Sequence, residues 1–229
     1  DDDMHDISLQ GPKSLEFLSL YTPMNLASLK YFHQEKTTLF DRPVIISRTG
    51  YSGERGYEIF ASAPNIVPIW EEILDRGSAH GIIPCSFAGL DKIRVEASLL
   101  FYPYDMTKAN TPWEVTLGWA VSRAKGEFRG KEALFSREGK DKIKVVGIVA
   151  DHDDIVDEGA ELFVQGKRVG QVNSPSYSHR MMKSLGLAHV NPSFADIGTE
   201  LELKGNSVSC SARVSQIPFY DPNKNRTHA

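Results

Sequence analysis

The sequence has few cysteines and none of the long apolar runs of a membrane protein. Its two cysteines, Cys85 and Cys210, are far apart and form no C-x-x-C pair, so neither a disulfide framework nor a metal site is indicated. We expect both thiols to be small buried side chains in a reducing compartment, either the cytoplasm or a mitochondrial matrix. No apolar stretch approaches the ~20 residues that span a bilayer, which argues against a membrane protein.

A dense basic stripe is also missing. The net charge is −4 and no segment concentrates lysine and arginine, which argues against a nucleic-acid partner. The sequence contains no P-loop, no dinucleotide fingerprint and no Ser/His/Asp or Cys/His nucleophile motif. With 41% hydrophobic and 24% charged residues, the 229 residues have the composition of a globular protein and are enough for one large or two small cores.

The most informative stretch is residues 48–60, RTGYSGERGYEIF. It lies between strand-like runs at 44–47 and 57–60, and its glycines predict a tight loop that joins them as a hairpin. Glycine removes the Cβ that would block a ligand, while Tyr51 supplies a flat face and Glu58 a carboxylate. One carboxylate accepts two parallel N–H bonds, so this set suits a planar heterocycle with adjacent N–H donors. The alternative is an ordinary hairpin with a solvated Glu58.

Apolar residues at helical spacing predict three helices in the first hundred residues. They cover residues 14–21, 64–76 and 86–100. In the third helix Asp91 and Arg94 share one polar face. That face either holds a surface ion pair or aims Arg94 and Glu96 at a cavity.

Beyond a charged linker at residues 136–142 the pattern changes to short strands separated by glycine turns. Six strands are predicted, at residues 143–149, 160–164, 168–173, 184–189, 200–203 and 207–217. Six strands at such spacing predict a small closed barrel or a sandwich. We therefore predict an α+β protein with two domains, residues 1–139 and 140–229.

Several of these stretches resemble the aminomethyltransferase family, the T-protein of the glycine cleavage system and its folate-dependent relatives. The wording RTGYSGE-x-GYEI matches the family signature over a dozen positions. LQGP at 9–12, GLDKIRVEAS at 89–98 and KGEFRGKEAL at 125–134 also follow family patterns. Leu90 departs from them, because glycine-cleavage members carry a ligand-binding arginine there. The resemblance extends from Gln10 to Pro222.

The resemblance implies a folate-binding mixed α/β domain with an antiparallel sheet, followed by a small C-terminal β-barrel. It implies that Glu58 holds the pterin ring of tetrahydrofolate. Tyr51 or Tyr57 would flank that ring, and Arg94 or Arg180 would bind the glutamate tail, since an arginine fork suits a carboxylate.

The resemblance also implies an N-terminal truncation, because the LQGP element normally lies well inside the first half of the family's proteins. We therefore expect a folate domain that is incomplete at its N-terminus, where the acidic residues Asp1 to Asp3 form a solvated end. The family places an aspartate near the reacting nitrogen of folate, and we expect that aspartate to lie outside this chain. No catalytic residue is assigned, and the activity of the chain by itself is an open question.

The expected activity is folate-dependent one-carbon transfer, with tetrahydrofolate as the acceptor. Two donors are open: a lipoylated carrier protein, as in glycine cleavage, or a small O-, N- or S-methyl compound, as in a demethylase. Leu90, and Asp157 where the glycine-cleavage branch tends to have a basic residue, favour a divergent member. A folate-binding protein without turnover is the third alternative.

Overall fold

The computed structural model describes residues 3–228, which form two compact units. One unit comprises the residues up to Ile93 together with those from Asn223 onward, and the other runs from Arg94 to Pro222. Within the acidic stretch that is predicted to be solvated, Asp3 is exposed, whereas Asp1 and Asp2 lie outside the described residues. The domain boundary at residues 139 and 140 stays a prediction.

The first unit is built on a four-stranded antiparallel sheet in the order β1-β4-β3-β2. Its strands are β1 (His5–Gln10), β2 (Gln34–Leu39), β3 (Arg42–Ser47) and β4 (Gly56–Ala61). Ile59 of β4 lies opposite Ile7 of β1 and Ile46 of β3, and all three side chains are buried. Because successive side chains alternate between the two faces of a strand, these residues define one face as the core side.

Two helices cover this core face. They are α1 (Ser14–Ser19) and α2 (Ala63–Gly77), close to the predicted bounds. Phe17 and Leu18 of α1 and Ile69 and Ile73 of α2 pack into the same cluster as the strand residues. The helical spacing that predicted both elements is therefore the spacing of their buried side chains.

The third helix, α3 (Phe87–Glu96), is shorter than the predicted 86–100. It ends because Ser98 adopts a left-handed conformation with φ of 56°. The N–H groups of Leu99 and Ser98 bond to the carbonyls of Arg94 and Val95 at 2.8 and 2.9 Å. This pair of bonds is the Schellman pattern that closes many helices.

The second unit contains a closed six-stranded barrel in the order β10-β5-β8-β7-β6-β9. The strands are β5 (Lys144–Ala150), β6 (Glu161–Val164), β7 (Lys167–Ser178), β8 (Lys183–Val190), β9 (Glu200–Lys204) and β10 (Ser209–Ser215). Ile148, Leu162, Val172 and Leu203 are fully buried in its interior. All six predicted strands are present, and closure satisfies every edge. Two short helices complete the chain, α4 (Lys131–Phe135) and α5 (Asn225–His228).

The prediction that both cysteines are buried is wrong. Cys85 is exposed because it lies in the irregular segment between α2 and α3. Cys210 is half-buried, in the part of β10 that pairs with β9 but extends beyond its pairing with β5. Burial, and then the charge of Asp151, raises the pKa of the Cys210 thiol.

Among residues 3–228, no helix is long and apolar enough to cross a membrane. The same residues contain no group of three or more His, Cys, Asp or Glu side chains that could hold a metal ion.

Candidate functional site

Glu58 lies on the face of the sheet opposite to the core. Its neighbours in β4, Tyr57 and Ile59, are fully buried, so alternation directs the Glu58 side chain away from the core. In the register of the sheet Glu58 is opposite Ser8 of β1 and Ser47 of β3. The carboxylate is therefore surrounded by small hydroxyl side chains on a partly open surface.

The glycine-rich loop, residues 48–55 between β3 and β4, orients this carboxylate. Thr49 Oγ1 donates a hydrogen bond to Glu58 Oε2 and lies 2.9 Å from Ser47 Oγ. Within residues 3–228 no protein group donates to the other carboxylate oxygen of Glu58. One oxygen is thus held by the protein, and the other is left for a ligand with N–H or O–H donors.

The side chain of Gln10 occupies the inside of the glycine-rich loop. A Cβ on Gly50 or Gly56 would lie 2.0 or 2.1 Å from Gln10 Oε1, so only glycine leaves room for this amide. Gln10 Nε2 donates to the Thr49 carbonyl at 3.2 Å, and Ser52 Oγ donates to Gln10 Oε1 at 2.9 Å. The LQGP element and the loop therefore form one structure, although they are two separate motifs in the sequence.

A second carboxyl group, Asp6, lies on the same face as Glu58. Asp6 is opposite Phe60 in the β1–β4 pair, two positions along the strand from Glu58. Partial desolvation, and then the negative charge of Glu58, raises the pKa of Asp6 to about 6, although a backbone N–H bond from Ile59 lowers it. The two carboxyl groups therefore repel each other when both are ionised.

Replacing Asp6 by asparagine is expected to stabilise the protein at pH 7.5 and to change little at pH 4. The pKa of Asp6 rises from 3.8 to about 6 on folding, so its stabilising contribution is full below the unfolded pKa and is lost as the pH rises through 6. Because Asp6 is exposed, solvent screening limits the gain to about 1 kcal/mol or less. Urea denaturation at the two pH values measures it.

The control for this prediction is Asp75→Asn, which removes an exposed carboxylate from α2. It should show no comparable difference between pH 4 and pH 7.5. An equal effect of Asp6→Asn at both pH values would contradict the raised pKa of Asp6 in the folded protein.

Tyr31 adds a phenol to the surroundings of Glu58. Burial raises the pKa of its hydroxyl, the positive charge of Arg48 lowers it, and the negative charge of Glu58 raises it again. Arg48 is itself buried and donates to the Leu29 carbonyl at 3.1 Å. Tyr31 and Thr49 were not singled out from the sequence, because their closeness to Glu58 depends on the path of the loop.

The two tyrosines predicted to flank a ligand have different positions. Tyr51 is partly buried in the glycine-rich loop. Tyr57 is fully buried, and its hydroxyl accepts hydrogen bonds of 3.1 and 3.0 Å from Arg55. A buried ring has no face open to a ligand, so the geometry leaves Tyr51 and not Tyr57 for a ring contact.

Arg94, in the second unit, is engaged by the protein and not aimed at solvent. Its Nη1 lies 2.6 Å from Asp105 Oδ2, and its Nη2 donates to Ser174 Oγ at 2.9 Å. The side chains of Arg94 and Asp105 are only 4% and 0% exposed. The neighbouring Glu96 is also buried and accepts a 2.6 Å hydrogen bond from Ser178. The burial of this pair excludes the surface ion pair that was one sequence interpretation, whereas the binding of a glutamate tail by Arg94 stays a prediction.

Arg180, also in the second unit, is exposed just after β7. Its guanidinium lies 4.0 Å from the centroid of the Tyr220 ring, the geometry of a cation–π contact. The binding of an anionic tail by Arg180 stays a prediction.

Two family models match the chain. Residues 1–125 match the GCVT N-terminal domain, and residues 144–221 match the glycine cleavage T-protein C-terminal barrel domain. The second match contains the closed barrel described above.

Curated relatives and a solved structure agree with these matches. The gamma subunit of a heme-dependent oxidative N-demethylase from Ectopseudomonas mendocina is 42% identical over 238 residues, which cover 100% of this chain and 63% of the relative. An aminomethyltransferase from Bacillus subtilis is 36% identical over 217 residues, which cover 93% of this chain and 60% of the relative. The chain therefore spans about three fifths of the length of these relatives.

The crystal structure of glycine cleavage system aminomethyltransferase T from Bartonella henselae has the same fold. It aligns with a TM-score of 0.73 and 21% identity, covering 96% of this chain and 85% of that one. The α+β architecture with a C-terminal barrel, predicted from the sequence, is thereby confirmed. By its two family-model matches and its relatives, this chain belongs to the glycine cleavage T-protein (GCVT) family of aminomethyltransferase-like proteins.

Proposed function

We propose that the chain binds tetrahydrofolate through Glu58 and takes part in folate-dependent one-carbon transfer. The observation that carries this proposal is the Glu58 carboxylate, oriented by Thr49, with one oxygen left over beside the glycine-rich loop. Membership of the GCVT family, which includes aminomethyltransferases, supports the same ligand.

The residues of the site fit a pterin ring. A carboxylate accepts two parallel N–H bonds, and a pterin presents adjacent N–H donors on one edge. Oε1 of Glu58 would accept one of them, and Oε2, which keeps a second lone pair beside the bond from Thr49, would accept the other. Glu58 would bind and orient this edge, the glycines would let the backbone approach it, and Tyr51 would offer a ring beside it. Tetrahydrofolate, when bound, supplies a nitrogen that accepts the one-carbon unit. The protein's contribution is then mainly to position the reactants and to exclude water.

Replacing Glu58 by glutamine is expected to weaken tetrahydrofolate binding by more than about 1.5 kcal/mol, over tenfold in Kd, because the variant loses the charge that strengthens both hydrogen bonds. The measurement is calorimetric titration of tetrahydrofolate into both proteins, under reducing and anaerobic conditions at fixed pH. The amide keeps the size of the carboxylate, so the change tests its charge and hydrogen bonding.

The matched control is Glu16→Gln, because Glu16 is an exposed glutamate on α1, which covers the opposite, core face of the sheet. It removes the same charge and should leave the Kd unchanged. Equal affinities of the wild type and Glu58→Gln would contradict the assignment of Glu58. An absence of binding by the wild type would contradict folate binding by this chain.

A second candidate is a role in demethylation. The relative with 42% identity is named as a subunit of an oxidative N-demethylase, and Leu90 replaces the arginine of glycine-cleavage members. Oxidative N-demethylation releases carbon at the level of formaldehyde, which tetrahydrofolate can accept. For the demethylase the one-carbon donor is a small methylated amine. For the aminomethyltransferase the donor is a lipoyl carrier protein.

Supplying each donor in turn separates the two candidates. One reaction contains an aminomethyl-loaded lipoyl carrier protein, and the other contains a methylated amine with its oxidising partner subunits. Mass spectrometry of the folate pool measures the one-carbon product. Product that depends on the carrier favours the aminomethyltransferase, and product that depends on the amine favours the demethylase. Folate binding without product in either reaction indicates a non-catalytic folate-binding chain.

A further inference from the structure

The glycine-rich loop is held from outside by a segment that is remote in sequence. Arg226 Nε donates to both carboxylate oxygens of Glu54, at 2.9 and 2.7 Å, although the residues are 172 positions apart. Thr227 Oγ1 donates to the carbonyl of Gly53 at 2.7 Å. Both contacts come from α5 (Asn225–His228), which belongs to the same compact unit as the loop. We call α5 the clasp.

The clasp also reaches residues around Glu58. Arg48 Nη2 donates to the Thr227 carbonyl at 3.5 Å. The ring of His228 packs edge-on against Tyr31, with centroids 4.9 Å apart. Tyr31 is the phenol whose pKa responds to the charge of Glu58. The clasp therefore contacts the tip of the loop, its first residue and a side chain near the carboxylate.

The composition of the loop explains why it needs such a support. Gly50, Gly53 and Gly56 lie within seven residues, and Gly53 has φ of 71°. Glycine gives up more backbone freedom on ordering than any other residue, so a loop of this kind samples many conformations unless it is held. Gln10 fills the loop from inside, and the clasp holds it from outside.

We propose that Arg226 and Thr227 of the clasp are positioning residues, which keep the glycine-rich loop in the conformation that binds folate. This inference rests on the proposed function of the loop. The affinity of a ligand falls in proportion to the fraction of protein in the competent conformation. Loosening the clasp therefore weakens binding without changing a residue that the proposed function assigns to the ligand.

The test compares Arg226→Ala with Arg213→Ala. Arg213 forms a two-point ion pair with Glu200 in the barrel, at 2.7 and 2.6 Å, so the control removes an Arg–Glu pair elsewhere, although a more exposed one. Amide hydrogen exchange of residues 50–56 is measured without ligand, and tetrahydrofolate binding is measured by calorimetry. In Arg226→Ala we expect exchange and Kd each to rise by roughly fivefold, with an unchanged Tm. Arg213→Ala should change neither quantity.

Exchanging the charges of Glu54 and Arg226 tests whether the ion pair itself holds the loop. Glu54→Arg combined with Arg226→Glu keeps an ion pair of opposite direction and should bring exchange and Kd back towards the wild-type values. Unchanged loop exchange in Arg226→Ala overturns the proposal. Faster exchange with an unchanged Kd also overturns it, since the clasp would then order a loop that does not limit binding.

The two proposals fail in different ways. If the wild type itself does not bind tetrahydrofolate, the proposed function fails, and the positioning of a folate loop fails with it. The exchange measurement needs no ligand, so it still decides whether the clasp orders residues 50–56. If Glu58→Gln abolishes binding while Arg226→Ala does not weaken it, only the clasp proposal is overturned.

Discussion

Replacing Arg94 by methionine is expected to lower the free energy of unfolding by about 3–5 kcal/mol. The change leaves the fully buried Asp105 carboxylate with the N–H of Phe101 but without its cation, which lies at 2.6 Å. A buried ion pair costs desolvation when it forms, so its presence is weak evidence of net stabilisation. Removing one partner is nevertheless costly because the other charge stays buried. Chemical denaturation of the two proteins measures the loss.

A double-mutant cycle shows whether the loss comes from the unpaired carboxylate. Asp105→Asn in the Arg94→Met background removes the orphaned charge while keeping an oxygen for the Phe101 N–H. The double variant should therefore be more stable than the sum of the two single losses predicts, by 1 kcal/mol or more on the scale of about 0.5–3 kcal/mol for contacting residues. A loss below about 1 kcal/mol in Arg94→Met would mean that the pair behaves like an exposed salt bridge.

The end of α3 shows where local sequence signals are insufficient. The prediction extended the helix to residue 100 because the apolar spacing continues as far as Leu100. Ser98 adopts φ of 56°, a conformation that residues other than glycine rarely take, and closes the helix. A serine in this conformation costs on the order of 1 kcal/mol. The stop is visible only in the structure, where Leu99 and Ser98 bond to the last turn.

The strands were predictable because successive side chains of a strand point to opposite faces of the sheet, which gives the sequence a two-residue period. In β4 the alternation of Tyr57, Glu58 and Ile59 decides which face each side chain meets. A shift of one residue would have turned Glu58 into the core. The observed register places it on the polar face, opposite Ser8 and Ser47.

The contacts that complete the site were not predictable from the sequence. Gln10 enters the loop from β1, about 40 residues away in the chain, and the clasp meets the loop from 172 residues away. Contacts over such distances leave no periodic pattern in a single sequence. The glycines at positions 50 and 56 do signal a close approach, but they do not identify Gln10 as the group that approaches.

Replacing Glu114 by alanine is expected to lower the free energy of unfolding by about 3 kcal/mol. The side chain is buried, and its carboxylate accepts hydrogen bonds from the N–H groups of Thr111 at 2.7 Å and Lys142 at 2.8 Å. The Thr111 N–H, left buried without a partner, costs about 1–3 kcal/mol, and the lost part-buried bond from the Lys142 N–H adds to it. The carboxylate also ties the segment before β5 to the turn at residue 111, so its loss should increase hydrogen exchange around residue 142.

The pH dependence distinguishes the charge of Glu114 from its size. Burial alone would raise the pKa of Glu114, but backbone hydrogen bonds from Lys142 and Thr111, with smaller contributions from the Thr111 hydroxyl and Ile143, outweigh it and hold the pKa below its usual value. The folded state therefore prefers the ionised form, whose stabilisation is present above the ordinary pKa of 4.5 and is lost as the pH falls through the folded pKa.

Glu114→Gln keeps the size and one acceptor oxygen, so it should cost less than alanine at pH 7. Its penalty should shrink as the pH falls through the folded pKa, because the wild-type carboxylate then becomes protonated. A glutamine penalty that stays constant over the whole acid range in which the protein is folded would mean that the charge of Glu114 contributes nothing and that only its acceptor oxygens matter.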